Sequence, residues 1–221
     1  MRDKNETRLE VARKEMVTHQ LVARGISDRC ILRAMATIPR HLFVPEHIRD
    51  AAYQDCPLPI GYSATISQPY IVAYMSELLS LSKNDRVFEL GTGSGYQAAV
   101  LAFCAKEVIS IERVPELIPV ALGNLATVGA ANVRVLEGDA TTIAADYAPY
   151  DAAILTAASP ALPEYLYPYM NDGGRIVVPV GDMYVQELFL ITVCNGEGRV
   201  EGKGGVRFVP VIGKYGFPEG E

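Results

Sequence analysis

The chain has 221 residues, a formal net charge of −6 and 49% hydrophobic residues. This length and apolar content suit one large domain with a sizeable core. The acidic balance argues against a nucleic acid as the main partner, because phosphate binding needs a basic patch. No segment is long and apolar enough to span a membrane, and the charged segment 1–15 does not resemble a signal peptide. We therefore expect a cytoplasmic protein.

Cysteines and histidines give no sign of a metal site. The four cysteines are scattered without C-x-x-C spacing, which predicts reduced, mostly structural thiols. All three histidines lie in the first quarter of the chain, and none pairs with a cysteine at the spacing of metal ligands. The residues concerned are Cys30, Cys56, Cys104, Cys194, His19, His41 and His47.

The N-terminal segment has a helical pattern. Apolar residues recur near helical spacing over residues 6–24, and Gly25 is a suitable C-cap. Asp28 is placed to cap a second helix through Met35.

Proline then interrupts the helical pattern. Pro39 and Pro45 frame a segment that we expect to be extended. Arg40 and His41 lie within it. A functional role fits them, but polar residues at a turn are the commoner case.

Residues 56–70 predict an ordered loop ahead of a helix that runs to about Leu81. Either Ser67 or Gln68 would cap this helix. Thr65 and Ser67 would place two hydroxyls beside unpaired helix N–H groups, which makes a site suited to a carboxylate. Plain N-capping is the commoner use of a serine at such a position.

The stretch from Arg86 to Tyr96 predicts a buried strand, Arg86–Leu90, then a glycine turn and a helix. A dinucleotide fingerprint is G-x-G-x-x-G, whereas here Gly91, Gly93 and Gly95 bring the third glycine one residue early. Tyr96 stands where the last glycine should be, which argues against a pyrophosphate and an NAD-dependent oxidoreductase. The spacing resembles the first motif of S-adenosylmethionine-dependent methyltransferases. A tight turn without a ligand is the alternative.

An acid follows the next predicted strand, Glu107–Ile111. Glu112 comes about 20 residues after Gly91, the spacing of the acid that binds ribose hydroxyls in nucleotide-binding α/β units. Alone, Glu112 could be a solvated carboxylate at a strand end. Together with the glycines it predicts a cofactor site.

Strands and helices alternate along the rest of the chain. The pattern predicts an α/β, doubly wound, Rossmann-like sheet with an antiparallel C-terminal strand addition and an N-terminal helical extension. We predict one domain over residues 1–221, with 1–82 as the extension and acceptor loop and 83–221 as the cofactor-binding core. The remaining predicted elements are helices at Gly95–Cys104, Pro115–Val128 and Pro163–Met170, strands at Val133–Leu136 and Ala152–Leu155, a strand at Arg175–Val178 after a Gly173-Gly174 turn, and a strand pair, Glu187–Cys194 and Arg207–Val211, with a glycine-rich hairpin at Gly196–Gly205 between them.

In such a sheet the ligand binds at the carboxyl ends of the strands. Asp139 and Thr156 fall at such ends, as do the glycines and Glu112. Asp139 is placed to accept a hydrogen bond from an adenine amino group, although an aspartate in a loop turn is the commoner case. The predicted cofactor-binding residues are Gly91, Thr92, Gly93, Ser94, Gly95, Glu112, Asp139, Ala140 and Thr156.

Most of the chain resembles the protein-L-isoaspartate (D-aspartate) O-methyltransferase family. The glycine motif is common to many methyltransferases, whereas Thr65-Ile-Ser-Gln-Pro-Tyr70 is far more specific. The sequence departs from the family pattern at Tyr62-Ser63-Ala64, where many members have His-Gly-Gln, at Ala140, where glycine is usual, and at Ser159-Pro160-Ala161. The segments that carry the resemblance are Met16 to Asp28, Pro39 to Glu46, Ala64 to Ala73, Glu89 to Ala99, Gly173 to Gly181 and Val206 to Pro210.

The resemblance implies methyl transfer from S-adenosylmethionine to the α-carboxylate of isoaspartyl residues in damaged proteins. It marks Ser67 as the active-site residue, with Thr65 beside it. It also implies a cytoplasmic enzyme, which we expect to be a monomer. A methyltransferase of the same fold with another carboxylate or small-molecule acceptor is one alternative, and a cofactor-binding protein without catalysis is another.

Overall fold

The computed structural model describes residues 4–219. The first two predicted helices are present: α1 spans Lys4–Glu15, and α2 spans Arg29–Thr37. Between them, Met16–Leu21 form a π-helical turn and Val22–Arg24 a 3₁₀ turn. The predicted caps are confirmed, because Gly25 has a left-handed φ of 95° and the Asp28 side chain accepts a hydrogen bond from the Ile31 amide.

The two segments after α2 differ from the predictions. Arg40–Phe43 form a 3₁₀ turn rather than an extended segment. The predicted loop 56–70 contains an antiparallel hairpin of strands β1 (Leu58–Gly61) and β2 (Ala64–Ile66), followed by helix α3 (Pro69–Leu78). The hairpin strands are too short to produce a period that sequence alone could reveal.

The main sheet has seven strands in the order β5-β4-β3-β6-β7-β8-β9. The neighbours from β5 to β7 are parallel, and β7-β8 and β8-β9 are antiparallel. This arrangement confirms the predicted α/β class and its antiparallel C-terminal addition. The strands are β3 (Arg86–Leu90), β4 (Glu107–Glu112), β5 (Val133–Glu137), β6 (Tyr150–Leu155), β7 (Met170–Gly181), β8 (Gln186–Cys194) and β9 (Glu197–Val206).

The helices that connect the parallel strands have nearly the predicted bounds. They are α4 (Tyr96–Cys104) after β3 and α5 (Leu117–Thr127) after β4, whereas the short α6 (Ala140–Ile143) after β5 was not predicted. A 3₁₀ turn at Ala144–Tyr147 precedes β6. The helix predicted at Pro163–Met170 is a 3₁₀ turn over Glu164–Tyr169.

Two predictions in the C-terminal part are wrong. The Gly173-Gly174 pair does not make a turn, because both residues lie inside the continuous strand β7. The partner of β8 is β9, which occupies the predicted glycine-rich hairpin, and not Arg207–Val211. Glycine weakens a strand, but the antiparallel ladder with β8 nevertheless holds these residues in β9. The chain therefore reverses at Asn195 and Gly196, both of which have positive φ.

The core covers both faces of the sheet, because successive residues of a strand point to opposite faces. Val87 lies in a buried cluster with α2, α3, α4 and the N-terminal helices, whereas Phe88 lies in a second cluster with Ile109 and Tyr150. The N-terminal segment therefore packs on the Val87 face. The division into residues 1–82 and 83–221 stays a prediction, and residues 1–3 and 220–221 of that range lie outside the described residues.

A disulfide joins Cys30 in α2 to Cys104 at the end of α4, with their Cα atoms 5.8 Å apart. The expectation of reduced thiols is therefore wrong for this pair, whereas Cys56 and Cys194 are free. The two bonded cysteines are 74 residues apart, so only the packing of α2 on α4 brings them together. Between residues 4 and 219, no helix has the length and apolar character that crossing a membrane requires.

Candidate active site

The glycine loop connects β3 to α4 and requires glycine for two reasons. Gly91, Gly93 and Gly95 have φ values of 90°, 55° and 87°, in the left-handed region that residues with a Cβ disfavour. A Cβ on Gly91 would lie 2.6 Å from Thr156 Oγ1, and one on Gly93 would lie 3.3 Å from Ile60 Cδ1. The loop is therefore held closely between the end of β6 and the β1–β2 hairpin.

Glu112, at the end of β4, holds this loop in place. Its side chain is buried, and its Oε2 accepts a hydrogen bond of 2.7 Å from the Gly93 amide. Its Oε1 accepts hydrogen bonds of 2.9 Å from the amides of Arg113 and Val114. Because a carboxylate oxygen can accept two hydrogen bonds, Oε2 can still accept one from a ligand hydroxyl.

A cavity of about 350 Å³ lies along the carboxyl ends of the parallel strands and is called the larger cavity below. Its polar groups come from the glycine loop and from the residues that follow β4, β5 and β6. The hairpin forms another wall. The predicted site residues that line this cavity are Thr65, Gly91, Gly93, Glu112, Asp139, Ala140 and Thr156.

A smaller cavity, of about 40 Å³, adjoins the first, and the two share Thr65, Gly91, Gly93 and Thr156. The predicted residues that line only the smaller cavity are Ser67, Thr92 and Ser94. Gly95 lines neither of these two cavities and serves as the N-cap of α4. All other predicted site residues therefore surround one continuous region.

Ser67 does not cap α3. The N-cap is Gln68, which makes no capping hydrogen bond through its side chain. Within residues 4–219 the Ser67 hydroxyl has no hydrogen-bond partner, and it borders the smaller cavity. The hydroxyl is therefore available to a ligand, as the carboxylate-site interpretation requires.

Asp139 has a structural role in addition to its place in the cavity wall. It caps α6: its Oδ1 accepts hydrogen bonds from the Thr141 amide at 2.8 Å and the Thr141 hydroxyl at 2.7 Å. Its Oδ2 accepts a hydrogen bond of 2.8 Å from the Lys214 amide. Burial acts to raise the pKa of Asp139, but the hydrogen bonds from Thr141 and Lys214 outweigh it and the pKa is lowered. The turn role is therefore present, and the adenine contact stays a prediction.

Ala140 stands at the position where glycine is usual in the family. Ala140 begins α6, and the positive φ in this turn belongs to Gly138, at 149°.

Thr156 Oγ1 lies 2.9 Å from the Leu90 carbonyl oxygen and 2.8 Å from that of Gly91. Thr156 therefore fixes the start of the glycine loop from the neighbouring strand.

A series of buried, hydrogen-bonded polar side chains lies under the glycine loop and was not predicted from the sequence. Glu89 Oε2 lies 2.5 Å from Ser110 Oγ, which lies 2.6 Å from Thr92 Oγ1. Burial raises the pKa of Glu89 to about 8, although the hydrogen bond from Ser110 acts in the other direction. The one signal in the sequence was an acid inside an otherwise apolar strand.

The C-terminal segment was also missed as part of the site. Residues 209–212 line the larger cavity instead of pairing with β8. The Ala158 amide donates to the Val209 carbonyl oxygen, and the Val211 amide donates to the Ala158 carbonyl oxygen, both at 2.8 Å. These bonds place the segment beside the residues that follow β6, a relation that sequence spacing cannot show.

Arg40 and His41 lie in a turn, as the commoner case predicts, but both side chains are buried, and neither lines the two cavities. Arg40 Nε donates to the Ala52 carbonyl oxygen at 2.7 Å, and His41 Nδ1 lies 2.7 Å from the Tyr53 hydroxyl. Burial lowers the pKa of His41. Both residues therefore stabilise the N-terminal segment by contacts with Ala52 and Tyr53, outside the two cavities.

The tip of the β1–β2 hairpin has an unusual backbone. Tyr62 and Ser63 both have positive φ, 52° and 58°, and such a conformation costs about 1 kcal/mol or more for each residue that is not glycine. Both residues line the larger cavity. The strain therefore occurs at the cavity wall, where the sequence departs from the family pattern.

Comparisons with known proteins agree on one family. The family model described as Protein-L-isoaspartate(D-aspartate) O-methyltransferase matches residues 12–216. A Protein-L-isoaspartate O-methyltransferase of Methanospirillum hungatei is 54% identical over 96% of this chain and 98% of its own length. A solved protein-L-isoaspartate O-methyltransferase, 28% identical, has a TM-score of 0.82 over 92% of this chain and 67% of its own. The fold is also that of a Plasmodium falciparum structure in complex with S-adenosyl-L-homocysteine, 24% identical, with a TM-score of 0.77 over 90% of this chain and 97% of that one.

Proposed function

The chain belongs to the protein-L-isoaspartate (D-aspartate) O-methyltransferase family, and we propose that it transfers a methyl group from S-adenosylmethionine to the α-carboxylate of isoaspartyl and D-aspartyl residues in damaged proteins. The observation that supports this most directly is the junction of the two cavities. There the glycine loop, held by Glu112, adjoins the free hydroxyl of Ser67.

The larger cavity suits the cofactor. Gly91 and Gly93 of the glycine loop line this cavity, and because they lack a Cβ their backbone is accessible to a ligand. Glu112 would accept hydrogen bonds from the ribose hydroxyls, and Asp139 would accept one from the adenine amino group. When bound, S-adenosylmethionine supplies a methyl group on a sulfonium, which is already activated for transfer. The residues of this cavity that would hold the cofactor are Gly91, Gly93, Glu112, Asp139, Ala140 and Thr156, with Thr92 and Ser94 in the adjoining smaller cavity and Gly95 supporting the loop as the N-cap of α4.

The acceptor side needs orientation and no general base. A carboxylate with an unperturbed pKa near 3.5–4 is already ionised at neutral pH. Thr65 and Ser67 would hold one of its oxygens so that the other faces the methyl donor. Orientation of this kind can lower a barrier by about 7–11 kcal/mol. The carbonyl carbon of the methyl ester is attacked by the backbone amide nitrogen of the next residue more readily than that of a carboxylate. The new N–C bond closes a succinimide, the bond to the methoxy group breaks and methanol leaves with the amide proton, which begins repair.

A pair of peptides tests the function. We expect the protein to methylate an isoaspartyl peptide and to leave its normal-aspartyl twin unmodified. In calorimetry, S-adenosylhomocysteine should bind and NAD should not. Equal methylation of both peptides would indicate a different carboxylate acceptor, and cofactor binding without transfer to either would indicate a protein that lacks repair activity.

We further propose that residues 1–221 act as one domain in a monomer. The N-terminal helices share a buried cluster with the sheet, and a single chain brings together the residues that surround both cavities. Size-exclusion chromatography with light scattering tests the monomer. The cytoplasm as the compartment stays a prediction, which cell fractionation tests.

A further inference from the structure

The two residues at the tip of the β1–β2 hairpin are not the types that its turn geometry favours. A two-residue hairpin turn with positive φ at both positions favours Asn-Gly, because those residues adopt left-handed backbone readily. Here the positions are Tyr62 and Ser63, which follow Gly61 at a φ of 95°. Strained residues of this kind persist mainly at binding and catalytic sites.

The Tyr62 side chain is not used by the fold. It is 60% exposed, and within the described residues it makes no hydrogen bond and no ring contact. It nevertheless lines the larger cavity, as do the next three residues to Thr65. Thr65 also borders the smaller cavity, where Ser67 lies two positions further on. The ring therefore lies at the exposed edge of the larger cavity, on the hairpin that leads through Thr65 to Ser67.

The C-terminal segment contributes a second exposed apolar side chain. Val209 is 40% exposed and lines the same cavity. A polypeptide that places one carboxylate near Ser67 would bring its neighbouring residues close to the hairpin tip. An uncharged aromatic ring and an uncharged valine would be available there to pack against them.

We propose that Tyr62 is a specificity-determining residue that packs against the side chain next to the isoaspartyl residue of the acceptor. This inference rests on the proposed function. A tyrosine ring offers a large apolar surface with few rotamers to immobilise, so an aromatic or long aliphatic neighbour gains contact area that a serine does not.

The test uses two series of isoaspartyl peptides that differ only in the residue before or after the isoaspartate, phenylalanine in one peptide and serine in the other. We expect wild type to favour phenylalanine by about 3- to 10-fold in kcat/KM in at least one series. Tyr62→Ser should bring the ratio of kcat/KM values close to one. Tyr62→Phe should keep the ratio, because the ring and not the hydroxyl makes the contact.

Tyr184 provides the matched control. It is 77% exposed in the turn between β7 and β8 and lines neither cavity. Tyr184→Ser should therefore keep the wild-type ratio. The double variant Tyr62→Asn/Ser63→Gly supplies the preferred turn residues, so it should melt at a higher temperature than wild type while losing the selectivity.

Two results would overturn the proposal. They are a ratio near one for wild type in both series, and an unchanged ratio in Tyr62→Ser. Failure of wild type to methylate any isoaspartyl peptide would overturn the proposed function as well, and this result is distinguishable from the other two.

Discussion

The Glu112 carboxylate bonds directly to the backbone of the glycine loop, with Oε2 2.7 Å from the Gly93 amide nitrogen. The residue at the end of β4 therefore sets the shape of the loop at the end of β3. The two features that the sequence analysis joined by spacing alone are joined in the structure by a hydrogen bond. Loss of this carboxylate should affect the loop and the cofactor together.

We predict that Glu112→Ala weakens binding of S-adenosylhomocysteine by about 1–3 kcal/mol, because the ribose hydroxyls and three backbone amides lose their acceptor. Isothermal titration calorimetry measures the change. Glu137→Ala is the matched control, since Glu137 pairs with Glu112 across β4 and β5 but is exposed. Equal affinities for Glu112→Ala and wild type would rule out the ribose role.

We predict that Ser67→Ala slows methyl transfer and leaves the affinity for S-adenosylhomocysteine nearly unchanged. Its melting temperature should stay close to that of wild type, because Ser67 caps nothing and a lost cap would cost about 1 kcal/mol. Ser76→Ala, in the following helix α3, is the control. Ser76 is buried and its hydroxyl donates to the Val72 carbonyl oxygen at 2.7 Å, so this variant should lose stability instead. If Ser67→Ala loses rate and cofactor affinity together, the acceptor role is wrong.

We predict a methyl-transfer rate that is roughly flat from about pH 6 to 8, because the acceptor carboxylate is ionised throughout this range. His41 lies outside both cavities, so His41→Gln should change the size of the rate and not its pH profile. A basic limb with an apparent pKa of about 6.5 that disappears in His41→Gln would show a histidine base and contradict this mechanism.

His41 should instead appear in the pH dependence of stability. Its pKa is lowered in the folded state, mainly by burial, so below about pH 6.5 the unfolded chain binds the proton more readily than the folded one. Stability should therefore fall as the pH drops through this region. Glu6, with its Oε2 3.7 Å from His41 Nε2, acts in the opposite direction and reduces the fall. Thermal melts of His41→Gln between pH 5 and 7 should show a smaller fall than those of wild type.

We predict that Glu89→Gln is more stable than wild type at alkaline pH. The pKa of Glu89 is raised to about 8, so the stability that its neutral form provides is lost as the pH rises through that value. Glutamine stays neutral, and the difference at pH 9 should reach about 1 kcal/mol or more. Thermal melts at pH 6 and 9 measure it, with Glu107→Gln, a half-buried acid at the start of β4, as the control. Identical pH profiles for wild type and Glu89→Gln would mean that Glu89 is ionised throughout.

The features that could be predicted from the sequence are those that short stretches determine. Strand β3, the glycine loop and the acid at the end of β4 are each determined by a few consecutive residues. The parallel sheet then places them at one edge. The Asp28 cap and the Gly25 helix end belong to the same class. All have a local physical cause.

The features that were missed depend on contacts between distant parts of the chain. The Cys30–Cys104 disulfide needs α2 to pack on α4, and β9 needs the ladder that β8 provides. The wall formed by residues 209–212 depends on two hydrogen bonds to Ala158. Neither hydrophobic periodicity nor motif spacing in the sequence reveals such pairings. The sequence therefore predicts a glycine-rich hairpin where β9 lies, and a strand at Arg207–Val211, most of which belongs to the cavity wall.

The last strand, β9, determines how readily an unfolded substrate can add to the edge of the sheet. Glycines alternate with charged residues along most of this edge, and Arg199, Glu201 and Lys203 form ion pairs along it. A polypeptide damaged enough to need repair exposes extended segments, which readily add to an open sheet edge. Charged and glycine-rich edges disfavour that addition. The sheet can therefore encounter unfolded chains at its active-site rim without also nucleating their aggregation along its side.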